Sequence, residues 1–106
     1  MTTFISGPMS GLPDFNYPSF HEAGEYLQAK GEIFFSPAHD WMGKERQPPT
    51  PEDEKPWEYY MRQSLKQLLY CDRILMLPGW ENSRGATIEK ELAIILNMQI
   101  EYWNQS

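Results

Sequence analysis

Apolar and polar positions along this chain fall into short blocks separated by glycine and proline, and the repeat within the blocks switches between two and about 3.6 residues. Thr3 to Ser6 reads as a short strand. Gly7-Pro-Met-Ser-Gly11 follows as a loop whose two glycines suit positive φ or a close ligand. Asn16 with Pro18 marks a helix start, Phe20, Ala23 and Leu27 give that helix a buried stripe, and Lys30-Gly31 is its C-terminal signal. Ile33 to Ser36 is a second strand that stops at Pro37. From Ala38 to Pro56 the chain turns polar, with four prolines in the nine residues from Pro48 to Pro56, so a loop is expected there. A helix over Trp57 to Tyr70 comes next, with Tyr60, Met61, Leu65, Leu68 and Leu69 available for its inner face. Arg73 to Leu77 then reads as a core strand ending at Pro78-Gly79, and Ser83 to Leu96 as a helix. Gln99 to Trp103 alternates weakly and fits an edge strand.

The order β-α-β-loop-α-β-α-β predicts an α/β fold: one domain over residues 1–106, with a parallel sheet of about four strands covered by helices on both faces. In such sheets ligands bind outside the carboxyl ends of the strands, and a helix N-terminus there favours an anion. The stretch from Cys71 to Glu89 has this form. Asn82 or Ser83 offers the capping oxygen, and the N–H groups of Arg84 to Ala86 are expected to point into the crevice. At ~100° per residue, Ile88, Leu92, Ile95 and Leu96 form an apolar arc with Glu89 on its edge, so a partly buried carboxylate is expected, with open space above it at Gly85.

Composition narrows the chemistry. A chain of 106 residues and 12.5 kDa has room for one core and no separate lid or cofactor domain. One Cys and two His give neither a disulfide framework nor a zinc set, so no metal or other cofactor is expected. No apolar run approaches ~18 residues, and strand-like sequence begins at Thr3, which points to a cytoplasmic protein without a membrane partner. Nine Lys and Arg against fifteen Asp and Glu give a net charge of −6, which disfavours polymeric nucleic acid and leaves small anions open. Neither glycine loop matches a P-loop or a Gly-x-Gly-x-x-Gly fingerprint. What remains is a carboxylate beside an anion cradle, which can attack an anomeric carbon through an oxocarbenium-like transition state without metal.

The segments Phe4-Ile-Ser-Gly-Pro-Met9, Gly11-Leu-Pro-Asp-Phe-Asn-Tyr-Pro18 and Cys71 to Glu89 resemble a small family common in phages and bacteria. That family belongs to the nucleoside 2-deoxyribosyltransferase-like superfamily, which includes the 2'-deoxynucleoside 5'-monophosphate N-hydrolases. The resemblance implies a Rossmann-like (flavodoxin-like) fold, a small-molecule nucleoside or nucleotide as ligand, and a homodimer or higher homo-oligomer. It also implies a cytoplasmic location, the host's where a phage carries the gene. Glu89 matches the superfamily's nucleophilic glutamate, four residues after Gly85. Ser83 resembles the phosphate-binding serine of the monophosphate hydrolases. Gly7, Pro8 and Met9 fall on the first-loop positions that contact ligand, with Ser6 before them a further substrate-binding candidate, and Asp72 fits the acidic residue before the central strand; a helix-end or strand-start residue with no catalytic part fits Asp72 equally.

Phe4 stands where the characterised enzymes often have a tyrosine, and Ser64 where relatives commonly carry an aspartate. Trp80 is a candidate for stacking on a base, with covering the sheet end as the plainer alternative; Arg84 is a candidate phosphate ligand or a solvated first-turn residue. Trp41, Lys44 and Arg46 lie in the long loop, where a mobile, solvated segment is the expectation, and Asp40 beside His39 is a weak acid/base candidate. The expected function is an N-glycosidase or deoxyribosyltransferase acting on nucleoside 5'-monophosphates. Two other classes fit the same residues: a non-catalytic nucleotide binder, and a small interaction protein with a vestigial crevice.

Overall fold

The computed structural model describes residues 1–104. Its elements run β1 (Thr2–Ser6), α1 (Tyr17–Ala29), β2 (Ile33–Phe35), α2 (Trp57–Leu68), β3 (Arg73–Met76), α3 (Arg84–Ile95) and β4 (Gln99–Tyr102). The strands form one sheet in the order β2-β1-β3-β4, every pair parallel. The chain is therefore an α/β, Rossmann-like domain. No helix among the described residues is long and apolar enough to cross a membrane.

Period-two alternation sends successive side chains of β1 and β3 to opposite faces. Ile5, Leu75 and Leu77 join Tyr17, Phe20, Ala23 and Leu27 of α1 in one core cluster. Phe4, Ile74 and Met76 form the other, with Leu68 of α2 and Ala86 and Ala93 of α3. Thr3 and Arg73, paired across β1 and β3, lie on the α1 side, where Arg73 Nε donates to Thr3 Oγ1 at 2.9 Å. The Arg73 guanidinium is neutralised there by Glu32 and Glu101.

Local signals explain most boundaries. Gly31, at φ 74°, closes α1 with its N–H on Gln28 O while Glu32 N–H returns to Leu27 O. Ser83 caps α3 by accepting the Ala86 N–H. Asn16 differs from expectation: it sits at the N-cap of α1 in the left-handed region with no capping bond, and its Nδ2 donates to Pro8 O at 3.0 Å. The side chain thus ties the first loop to α1 instead of closing the helix.

Two helix faces also differ from expectation. Ile95 is 76% exposed, and Leu96 lies outside α3 and is exposed; the buried residues are Ala86, Glu89 and Ala93, with Leu92 partly buried against the same core. Two alanines let α3 approach the sheet closely, and the bulkier Ile94, Ile95 and Leu96 turn away. In α2, Leu69 falls beyond the helix and is exposed, whereas Ser64 is buried.

Asp14, Phe15 and Asn16 all have positive φ, at 51°, 51° and 61°. Left-handed backbone costs a non-glycine residue roughly 1–2 kcal/mol. Asp14 is exposed, so Asp14→Gly is expected to raise stability by about 0.5–1 kcal/mol after the entropy lost at glycine. Thermal melting checks this: a gain of several degrees is expected, and a fall would show that Asp14 makes a contact the fold needs.

Candidate functional site

The strand order reverses between β1 and β3, and the crevice at their carboxyl ends is the binding position this topology provides. Leu77 N–H donates to Ser6 O at 2.8 Å and locks the two strand ends together. Gly79, at φ 87°, turns the chain into a short 3-10 segment, after which α3 starts with its head toward the crevice. Ser6 shares a sheet face with Phe4, so its hydroxyl points at α3 and donates to Glu89 Oε1 at 2.5 Å.

Glu89 is 6% exposed, more deeply buried than its sequence position suggested. Burial without a neutralising cation pushes its carboxyl up to about 7, while the hydroxyls of Ser6 and Ser64, which bond the ionised form, pull it down. Such a group exchanges its proton near neutrality. It can act as a nucleophile when ionised or as an acid when protonated.

A cavity of about 140 Å³ opens over Glu89. A dry engineered cavity of roughly 150 Å³ holds benzene, so this one has room for a single ring. Its lining is mostly apolar and aromatic, with Phe15, Tyr17, Trp57, Tyr60 and Met61, and the hydroxyls of Ser6, Ser10, Ser64 and Ser83. A second cavity of about 350 Å³ adjoins it and shares Tyr17, Pro37, Pro49, Tyr60 and Ser64 as a common wall. Among the described residues, no group of three His, Cys, Asp or Glu could hold a metal ion.

Six expected residues meet at the first cavity: Ser6, Gly7, Met9, Ser83, Gly85 and Glu89. A Cβ on Gly7 would lie 2.7 Å from Leu77 Cβ, so glycine is needed for the close approach of the first loop to β3. Gly85 does not leave open space, because a Cβ there would already meet Met61 Sδ at 3.3 Å. The Ala86 N–H is taken by Ser83 Oγ at 3.2 Å, which leaves Arg84 and Gly85 as the free amides among the described residues at the head of α3.

Other candidates lie elsewhere. Pro8 is outside the cavity lining, and its carbonyl is held by Asn16. Trp80 covers the sheet end, with Lys90 Nζ 4.2 Å above its ring and Tyr102 beside it. The Arg84 guanidinium stacks at 4.4 Å over Trp57, itself part of the cavity wall, so Arg84 sits at the rim. Asp72 precedes β3, at the opposite end of the strands from Ser6, where its carboxylate accepts the Thr2 N–H at 3.2 Å; it is not brought to Glu89. Asp40 accepts the N–H groups of Met42 and Lys44, both at 2.9 Å, and so serves a turn. His39 is buried against Ser36, whose Oγ is 2.5 Å from Nδ1; burial, followed by His21, pushes it down to about 4.

The long loop contributes more than expected. Pro49 and Glu54 line the first cavity and Arg46 the second, while Trp41 and Met42 face solvent. Sequence reasoning also missed Trp57 and Tyr60 as wall residues, and it treated Ser64 only as a replaced aspartate. The signal for Ser64 was present: Trp57, Tyr60, Met61, Ser64 and Leu68 follow one helical stripe, and a small hydroxyl inside that stripe marks a buried polar neighbour.

No curated protein is similar enough to the chain to count as a match. Residues 1–102 match a family described as a domain of unknown function, DUF4406. That span takes in both cavities and every strand of the sheet, and the chain belongs to the DUF4406 family.

Proposed function

We propose that the chain is an N-glycosidase or deoxyribosyltransferase acting on (deoxy)nucleoside 5'-monophosphates, with Glu89 as nucleophile. The observation that carries this reading is a buried carboxyl, poised near neutral pH, on the floor of a ring-sized aromatic cavity. In this reading the sugar lies over Glu89, and the phosphate lies against Ser83 and the Arg84 and Gly85 amides, with Arg84 at the rim. The ionised carboxylate attacks C1'; the C1'–N bond breaks with its electron pair going to the base, which takes a proton from water. The resulting glycosyl ester is then opened by water or a second base, restoring the carboxylate. Ser6 and Ser64 are positioning residues that hold Glu89 and stabilise its ionised form.

A second reading is a non-catalytic nucleotide binder in which protonated Glu89 donates a hydrogen bond to the ligand. It is favoured by the absence of a paired acid at Ser64 and of a hydroxyl at Phe4, which is fully buried in the core. Incubation with ribo- and deoxyribonucleoside 5'-monophosphates, followed by chromatography for free base, separates the two. Base release that disappears in Glu89→Gln supports the enzyme; a nucleotide-dependent thermal shift without release supports the binder. For the enzyme, kcat/KM should rise as pH increases through about 7, where Glu89 ionises. Ser6→Ala removes a donor to the ionised form and should move that limb to higher pH; an unmoved limb would show that another group titrates.

A further inference from the structure

The two adjoining cavities have opposite charge. The charged side chains lining the Glu89 cavity are both acids, Glu54 and Glu89. The larger cavity is lined by Arg46 and Lys55 against one acid, Asp53, which already accepts the Thr50 hydroxyl at 3.0 Å. His39 stays neutral at pH 7 and adds no charge. On a chain of net charge −6, a cavity with this excess of positive charge is a local reversal of the protein's field. The Arg46 guanidinium is also seated. Arg46 Nε donates to His39 O at 3.1 Å, and among the described residues no acceptor takes its terminal amines. The Lys55 backbone N–H donates to the Tyr60 hydroxyl at 2.8 Å, which ties the Lys55 main chain beside the wall common to both cavities. Away from the head of α3, where Ser83 and the Arg84 and Gly85 amides can take one anionic group, a second anion is thus disfavoured beside Glu54 and Glu89 and attracted by the charge of the larger cavity. A fixed guanidinium with free amines suits the paired oxygens of phosphate or carboxylate.

We propose that the Arg46–Lys55 cavity is a second anion subsite, taking a phosphate or carboxylate carried by the same ligand whose sugar lies against Glu89. The preferred ligand is then acidic at both ends, with one acidic group at the head of α3 and the other beyond Tyr60 and Ser64. This rests on the reading of the Glu89 cavity as a sugar site, and the test separates the two. The full-length, ¹⁵N-labelled protein is titrated at low salt with inorganic phosphate and, separately, with malonate, following backbone amide resonances. Saturable shifts are expected at Arg46, Gln47, Asp53 and Lys55. In the Arg46→Gln/Lys55→Gln double variant, whose two sites are solvent-facing, affinity there should fall about tenfold or more. The response at Ser83 to Ala86 should be unchanged. Response to phosphate alone assigns the subsite to a phosphate, and to malonate alone to a carboxylate. Shifts confined to Ser83 to Ala86, or shifts in the loop that the double variant leaves intact, overturn the second subsite without touching the nucleotide reading. Shifts confined to the loop keep the subsite and remove the phosphate site at α3, and no shift at either place overturns the proposal.

Discussion

Glu89→Gln is expected to abolish turnover and, at pH 8, to melt higher than the unaltered protein. The second effect needs no assumption about function. Glu89 carries a pKa raised from 4.5 to about 7, so the folded state binds its proton more tightly than the unfolded chain does. The sign follows directly. Below about pH 4.5 both states are protonated and the group contributes nothing; between 4.5 and 7 the folded chain holds a proton the unfolded chain has released, and stability falls as pH rises. Above 7 the buried carboxylate costs about 3 kcal/mol relative to its exposed form, because each tenfold difference in proton affinity between the two states is worth about 1.4 kcal/mol. A neutral amide of the same shape removes that cost. Melting curves should diverge from near coincidence at about pH 4 to a difference on the order of 10 °C at pH 8. Coincident curves at both pH values would mean that the ionised carboxylate is better solvated than its surroundings indicate. A higher melting temperature together with lost base release would mark Glu89 as a residue retained for chemistry at the expense of stability.

Gly7→Ala is expected to be the most disruptive small substitution near the site. The added Cβ would lie 2.7 Å from Leu77 Cβ, and a Cβ cannot move away by rotating a side chain. Either β1 and β3 part at their carboxyl ends, breaking the bond from Leu77 N–H to Ser6 O, or the first loop lifts away from the cavity. Overpacking of this kind costs about 1–3 kcal/mol. The loss should appear as a melting temperature lower by roughly 10 °C, with ligand binding weakened even where the protein remains folded. A variant that melts like the unaltered protein would show that the loop does not press on Leu77.

Element order, strand parallelism and a cap at Asn82 or Ser83 were legible because each rests on local chemistry: period-two apolar runs, a proline stop, a capping side-chain oxygen; the structure places the cap at Ser83. The inner face of α3 was legible only in part: Leu92 packs against the core as its place in the apolar arc indicates, and Ile95 and Leu96 do not. Hydrophobicity points to Ile95 and Leu96, but packing against the sheet favours small residues, and Ala86 and Ala93 carried Glu89 inward with them. For the same reason Glu89 was expected at an edge and lies in the interior. The partners of the carboxylate, Ser6 and Ser64, come from β1 and α2, and the meeting of segments 25 and 83 residues away has no signature in local periodicity. Asp72 and Trp80 show the reverse case: suitable residue types that the fold places elsewhere, Asp72 at the opposite end of the strands from Ser6 and Trp80 beside Lys90 and Tyr102, outside the cavity lining.

The segment between β2 and α2 contributes Pro49 to the wall between the cavities and contains Pro48, Pro51 and Pro56 as well. Each proline ring fixes φ near about −65°, so much of the freedom this stretch would lose on closing around a guest is already absent in the free chain. Recognition by a wall of this kind is a matter of fit more than of folding around the guest. Calorimetry should find it in a small entropic penalty, and a guest of the wrong outline should be refused because the wall does not remodel to receive it.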